Sequence, residues 1–410
     1  MAVRRTKTLA AVIVAGALAA VGLPGIAHAA SGDAVVTLRT VRVSEPDNPT
    51  VAIVPFTDAI YSNCSETTSS DCMDVGGVPY NYRIGEIEVT VEQWVKFLNR
   101  TDPKGRYRAN MYVTSEGSEQ WPRFGQVNRN RKAREGHRYS VTYPEWKDKP
   151  YGFATFPRAA RFANALTNGD VLSKKAVESD GFTVTTYRVR LGSRVDSGMY
   201  NLKNRAATRA KKSGFVIPSQ DEWIKAAYYD TSGGGTLSYW KYPTNPGTFG
   251  EGESDGPEQA VLNPDNGSVT NSATQPLSIF HASGETAPNW CPAQVSQTDC
   301  ETVNPFGLDE TAYQTAFQGS LGSVGQAGTR SPWGTLDQGG NAVEWTDTIT
   351  PPPFGFPGER VWRRLHGGVP NAPAYQLWIS AVGLQPQDNT FYNRTYPWLG
   401  FRIGVIGNPK

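Results

Sequence analysis

Residues 34–54 alternate between apolar and polar positions, with Val35, Thr37, Arg39, Val41 and Val43 marking a period of two, and predict one or two short strands. A second strand-like stretch runs from Tyr80 to Val89 and leads directly into a helix. Thr90 followed three residues later by Gln93 forms a capping box. Val89 can staple against Trp94, and Val95, Phe97 and Leu98 complete one apolar face. A second helix is predicted from Pro157 in its first turn and from Ala160, Phe162, Ala163 and Leu166. The third starts at Ser219-Gln220-Asp221-Glu222, a capping box with acidic residues facing the positive end of the helix, and continues through Trp223, Ile224, Ala226 and Ala227. Beyond residue 230 helical periodicity fades into short strands and long loops rich in Gly, Pro and Asn, with no internal repeat.

Three short capped helices ahead of an irregular, aromatic-rich half make neither βαβ units nor a bundle nor a regular sandwich. The expectation is an α+β chain with little regular secondary structure. Residues 30–79 would supply strands and a loop packed on a main domain at 80–407. Residues 250–303 form a long insertion with its own cysteine pair.

The N-terminus reads as a secretory signal over residues 1–29: Arg4, Arg5 and Lys7, an apolar run from Leu9 to Ile26, then Ala27-His28-Ala29. Gly16, Gly22, Pro24 and Gly25 shorten that run below the ~20 residues of a membrane span. The expected location is secreted or extracellular, with no stable membrane span after cleavage.

Composition adds exclusions. Across 410 residues, 19% charged side chains give a net charge of +2, which offers no bias toward nucleic acid. The basic stretch at Arg129, Arg131, Lys132, Arg134 and Arg138 reads as a solvated loop. Four cysteines form two local pairs, and an oxidising compartment favours Cys64–Cys72 and Cys291–Cys300 as disulfides.

No phosphate-binding glycine loop, nucleophile elbow, zincin helix or EF-hand loop is present. His137, His281 and His366 are far apart in sequence; each reads as a surface or satisfied histidine, or the three meet in space around a metal. The richest segment is Ser331-Pro332-Trp333-Gly334-Thr335-Leu336-Asp337-Gln338-Gly339-Gly340-Asn341-Ala342-Val343-Glu344-Trp345. Its tight turn could wrap a hard cation between the carboxylates of Asp337 and Glu344, or simply plug a core with Trp345.

This segment resembles the Gly-Asn-x-x-Glu-Trp signature of the formylglycine-generating enzyme, or sulfatase-modifying factor, superfamily. Tyr82–Thr90 looks like that family's opening strand, and Ala160–Leu166 like its second helix. Ile217–Ala227 resembles its Leu-Pro-Thr-Glu-x-Glu-Trp-Glu helix, Leu365-His366-Gly367-Gly368 part of its Arg-Gly-Gly-Ser-Trp turn, and Gly400-Phe401-Arg402 its closing Gly-Phe-Arg. The resemblance implies a variant of the C-type lectin-like fold with bound calcium. Carried over by position, the calcium ligands are the Asp337 side chain, the Gly340 and Ala342 carbonyls and the Glu344 side chain, with a second site near Asn263 and Asp265.

Formylglycine-generating enzymes hold copper(I) on two cysteines shortly after the Gly-Gly turn, and Ala372 and Leu377 stand at those positions here. Copper is therefore not expected, and His366, Val369 and Pro370 depart from the usual turn. The expected function is a pseudoenzyme: a calcium-stabilised module binding an extracellular polymer, glycan or protein. Its pocket would involve His366, Ala372, Leu377, Trp378 and Arg394, with Trp290, Trp333, Trp378 and Trp398 as flat contacts or core. The alternative is a metal-dependent oxidoreductase holding iron or copper on His281, His366 or a carboxylate.

Overall fold

A computed structural model describes residues 34–57, 59–106, 111, 126–142, 144–232, 238–243, 260–262, 269–271, 321–325, 330–353, 360–368, 377–387 and 398–410. The signal segment 1–29, Asn263, Asp265, His281, Trp290, Cys291, Cys300, Ala372 and Arg394 lie outside the described residues, as does most of 250–303.

The strands are β1 Val35–Val43, β2 Val51–Ile53, β3 Ile60–Tyr61, β4 Met73–Val75, β5 Tyr82–Gly85, β6 Val127–Arg129, β7 Tyr139–Val141, β8 Asp170–Ser179 and β9 Phe182–Arg190. They continue with β10 Gly214–Val216, β11 Ala260–Leu262, β12 Val269–Asn271, β13 Val343–Thr350, β14 Trp362–His366, β15 Gly383–Pro386, β16 Leu399–Gly400 and β17 Gly404–Ile406. Among the described residues three α-helices interrupt them: α1 Val91–Thr101, α2 Phe156–Thr167 and α3 Gln220–Tyr228. The result is the α+β chain the patterning predicts.

A six-stranded antiparallel sheet in the order β10-β17-β5-β1-β9-β8 forms the frame. A four-stranded sheet, β15-β14-β13-β16, carries the signature residues. A three-stranded sheet, β3-β2-β4, and the hairpins β6-β7 and β11-β12 complete the set. β1 sits inside the large sheet between β5 and β9, so the segment preceding residue 80 supplies a central strand.

Local chemistry fixes the helices. Thr90 and Gln93 close the capping box of α1, Thr155 caps α2 with Pro157 in its first turn, and Ser219 and Glu222 close the box of α3. α1 buries Trp94 and Phe97 against Phe162 of α2. Tyr151 stacks on Trp94 at 4.2 Å between ring centroids, and Phe401 packs on Phe162 at 5.7 Å. Trp345 also fills this core and donates to the Ala154 carbonyl at 2.9 Å.

The stretch predicted from Tyr80 to Val89 is a strand only over Tyr82–Gly85. At Gly85 the chain folds back so tightly that a Cβ would lie 2.8 Å from the Ile87 carbonyl. The Glu86 amide still donates to the Arg39 carbonyl of β1 at 2.9 Å; residues 87–89 then leave the sheet, and the Val89 amide donates to the Phe401 carbonyl at 3.0 Å. The Cys64–Cys72 disulfide is formed, with Cα atoms 5.5 Å apart. Arg131, Lys132 and Arg134 are exposed in the β6–β7 turn.

Candidate functional site

The turn from Ser331 to Asn341 is built from small residues and left-handed backbone. Ser331 accepts from both the amide and the hydroxyl of Thr335, whose hydroxyl also meets Gln338. Asp337 and Asn341 both adopt φ near +56°, and Gly340 has φ +92°. The Gly340 amide donates to the Gly367 carbonyl, which ties the turn to the end of β14. Side chains of the turn are thereby brought over β13, where Glu344 lies opposite His366 of β14 and Gly400 of β16.

Glu344 and Arg402 are fully buried and form a bidentate ion pair, with N–O distances from 2.6 to 2.9 Å. The Trp223 indole of α3 donates to the second Glu344 oxygen at 3.0 Å. Arg402 spends its other N–H groups on the Gly85 and Leu336 carbonyls at 3.0 and 3.1 Å. Three N–H groups, the Arg402 Nε–H shared between both oxygens among them, engage the Glu344 carboxylate, the expected calcium ligand.

Two more buried carboxylates lie beside this pair. Asp337 accepts the Gly325 amide, and burial pushes its carboxyl up to about 6, while that amide and Arg402 pull the other way. Glu88 is buried between β5 and the α1 cap; neither of its oxygens makes a well-formed hydrogen bond, and its carboxyl lies against that of Asp337. Burial, then the Asp337 charge, drives Glu88 well above the usual carboxylate range. The Asn341 side-chain oxygen is likewise buried and unpartnered. Three carboxylates thus face one guanidinium in a desolvated space.

Orphaned oxygens with excess negative charge suit a hard cation such as calcium, which takes six to eight oxygen ligands. Asp337 and Glu88 supply such oxygens, and the Gly340 and Ala342 carbonyls follow Asp337 within five residues along the chain. Among the described residues, no group of three or more His, Cys, Asp or Glu side chains is arranged to hold a metal by itself, so backbone carbonyls and water must complete any such shell. Glu88 is the residue that sequence reasoning missed. Its signal was an acid inside the strand-like run Ile87-Glu88-Val89, which reads as a solvent-facing position.

His366 stacks on Trp223 at 5.1 Å. Burial and the neighbouring Arg364 lower its imidazole to about 3, so it is neutral, and its Nε2 is buried without a partner. His366 also lines a cavity of about 340 Å³, together with Phe56, Leu365, Leu384, Gln385 and Trp398. Two other expected pocket residues lie elsewhere. Leu377 and Trp378 are buried; the Leu377 carbonyl accepts from Tyr228, and the Trp378 indole donates to Tyr242 at 2.9 Å, with Lys241 over its ring. His137 sits in the β6–β7 turn beside Arg134.

Phe56 had no signal in the sequence. It has φ +58° and is 52% exposed at the cavity, a backbone conformation that costs a non-glycine residue about 1–2 kcal/mol. Its amide donates to the Ser380 carbonyl at 2.9 Å, and the Ser380 hydroxyl donates to Thr57, which pins the loop in place.

No helix among the described residues is long and apolar enough to cross a membrane. Among curated proteins no sequence match is found. Two solved structures are similar over most of the chain. Treponema denticola variable protein 1 has 16% identity and a TM-score of 0.41, covering 89% of this chain and 94% of that one. A crystal structure of CarF has 14% identity and a TM-score of 0.40, covering 91% and 99%. The sulfatase-modifying factor enzyme 1-like domain matches residues 78–370. That span includes the α1 cap, the α3 capping box, the Asp337–Glu344 turn and the Gly367-Gly368 turn, and the chain belongs to this family, with its formylglycine-generating-enzyme-like variant of the C-type lectin-like fold.

Proposed function

We propose that the chain is an exported, calcium-stabilised binding module of this family that does not generate formylglycine. The observation that carries the reading is chemical: Ala372 and Leu377 stand where the family's enzymes hold copper, and no cysteine follows Cys300. Alanine and leucine offer no thiolate, the ligand that copper(I) selects. What remains is a scaffold whose partner would be an extracellular polymer, glycan or protein.

Calcium would be held by Asp337 and Glu88 with the Gly340 and Ala342 carbonyls. Bound there, it would neutralise the buried charge excess, while Glu344 anchors the turn through Arg402. The segment near Asn263 and Asp265 would supply a second site. Export is supported by the signal pattern ending at Ala29 and by the Cys64–Cys72 disulfide, which suits an oxidising compartment.

The test is the metal content of the secreted, dialysed protein. One or two equivalents of calcium and no transition metal are expected, with a melting temperature that falls in EGTA. Glu88→Gln should bind calcium more weakly and shrink the EGTA-sensitive shift. Stoichiometric copper or iron, or conversion of a cysteine-containing peptide to formylglycine, would overturn the reading in favour of a metal-dependent oxidoreductase.

A further inference from the structure

We infer that the cavity between Phe56 and Trp398 binds an uncharged aromatic ring carrying one N–H or O–H group, and that the loop between β2 and β3 contributes to this site. The inference rests on the binding-module reading and names the chemistry of its ligand.

The lining sets the class. Apart from backbone, Phe56, Leu365, Leu384 and Trp398 present apolar or aromatic surface, and His366 and Gln385 are the polar side chains among the described lining residues. No charged side chain is among these described lining residues, so they offer an anion or cation no compensating charge. A sugar ring, with a hydroxyl on most carbons, would leave several of them unmet. An aromatic group with a single polar atom matches the supply. The volume of about 340 Å³ lies at the small end of ligand pockets and suits one or two rings.

His366 gives the polar contact. Its ring is neutral and stacked on Trp223, and its Nε2 has neither a partner nor exposed surface, so a ligand N–H or O–H would satisfy this orphaned atom with a shift of the surrounding wall.

Phe56 gives the second, independent argument. It lies outside the family-matched segment 78–370, in left-handed backbone, with half its surface open to solvent. Both features disfavour phenylalanine in a merely structural role, and the hydrogen bonds through Ser380 hold the loop against that strain. An aromatic face kept exposed at a cavity mouth is suited to stacking.

The experiment is titration calorimetry on the full, calcium-loaded chain with indole, p-cresol, N-acetyltryptophanamide, benzoate and methyl β-glucoside. Saturable binding of at least one uncharged aromatic is expected, with no detectable binding of benzoate or the glucoside. Binding by N-acetyltryptophanamide as well would identify a side chain of a protein partner as the source; binding by indole or p-cresol alone would identify a free small molecule. Phe56→Gly should weaken binding tenfold or more while keeping or raising the melting temperature, because glycine relieves the left-handed strain; a structural Phe56 would lower it. His366→Gln should reduce affinity for indole more than for toluene. Binding of the glucoside in place of the aromatics would overturn the inference and leave the binding-module reading standing. No saturable aromatic binding, or unchanged binding by Phe56→Gly, would overturn it outright, and the calcium content of the same sample reports on the other reading separately.

Discussion

Arg402 ties three separate stretches of the chain together at one guanidinium. Its guanidinium meets Glu344 on β13, the carbonyl that ends β5 and the carbonyl that opens the Asp337 turn. Removing it leaves Glu344 as a buried charge with only Trp223 as donor. Arg402→Ala should therefore cost about 3–5 kcal/mol in urea unfolding, far above a surface change. His366 makes a second residue-scale prediction. An imidazole held neutral in the fold but free to protonate when unfolded contributes stability that is complete above about pH 6.5. That contribution is lost as pH falls toward its folded value of about 3. Between pH 6 and 5 the wild type should lose about 1 kcal/mol more than His366→Gln, measured by urea titration at each pH. The signature carboxylates Asp337 and Glu344 were legible in the sequence because they sit in one short motif. Glu88 was not, because its burial depends on Asp337 and Arg402, about 250 and 310 residues later.

The helices were legible in sequence for a local reason: the capping boxes of α1 and α3 are each written within four residues, at Thr90–Gln93 and Ser219–Glu222, and α2 was signalled by Pro157 and its apolar spacing, its Thr155 cap being seen only in the structure. The longest hairpin was harder to see. Asp180 and Gly181 both have positive φ, as a two-residue turn of this kind requires, but β8 is exposed along nearly its whole length and shows no apolar alternation. β8 is the outer strand of the large sheet, paired among the described strands only with β9. Leu172 and Val177 are exposed on it, and Lys174 and Lys175 occupy its middle. Charged side chains at such a position oppose edge-to-edge pairing. Replacing both lysines with threonine should leave monomer stability within about 0.5 kcal/mol and produce concentration-dependent self-association in size-exclusion chromatography.

At the scale of the whole molecule, family membership was legible because six weak motifs occur in the right order, from the Tyr82 strand to Gly400-Phe401-Arg402. The placement of β1 in the middle of the large sheet and of Phe56 at the cavity was not legible. Both depend on contacts distant in sequence, about 45 and 150 residues for β1 and about 310 for Phe56 and His366, which no local pattern encodes. The strand order has a consequence for timing. β5 lies between β1, made early, and β17, made some 320 residues later, and the Glu344 charge is unpaired until Arg402 exists. At ~5–20 residues per second, the chain spends roughly 15–65 s in synthesis after β5 is complete and before the sheet can close. Through that interval a ribosome-bound chain has no finished core to resist being unfolded, threaded or captured by a chaperone.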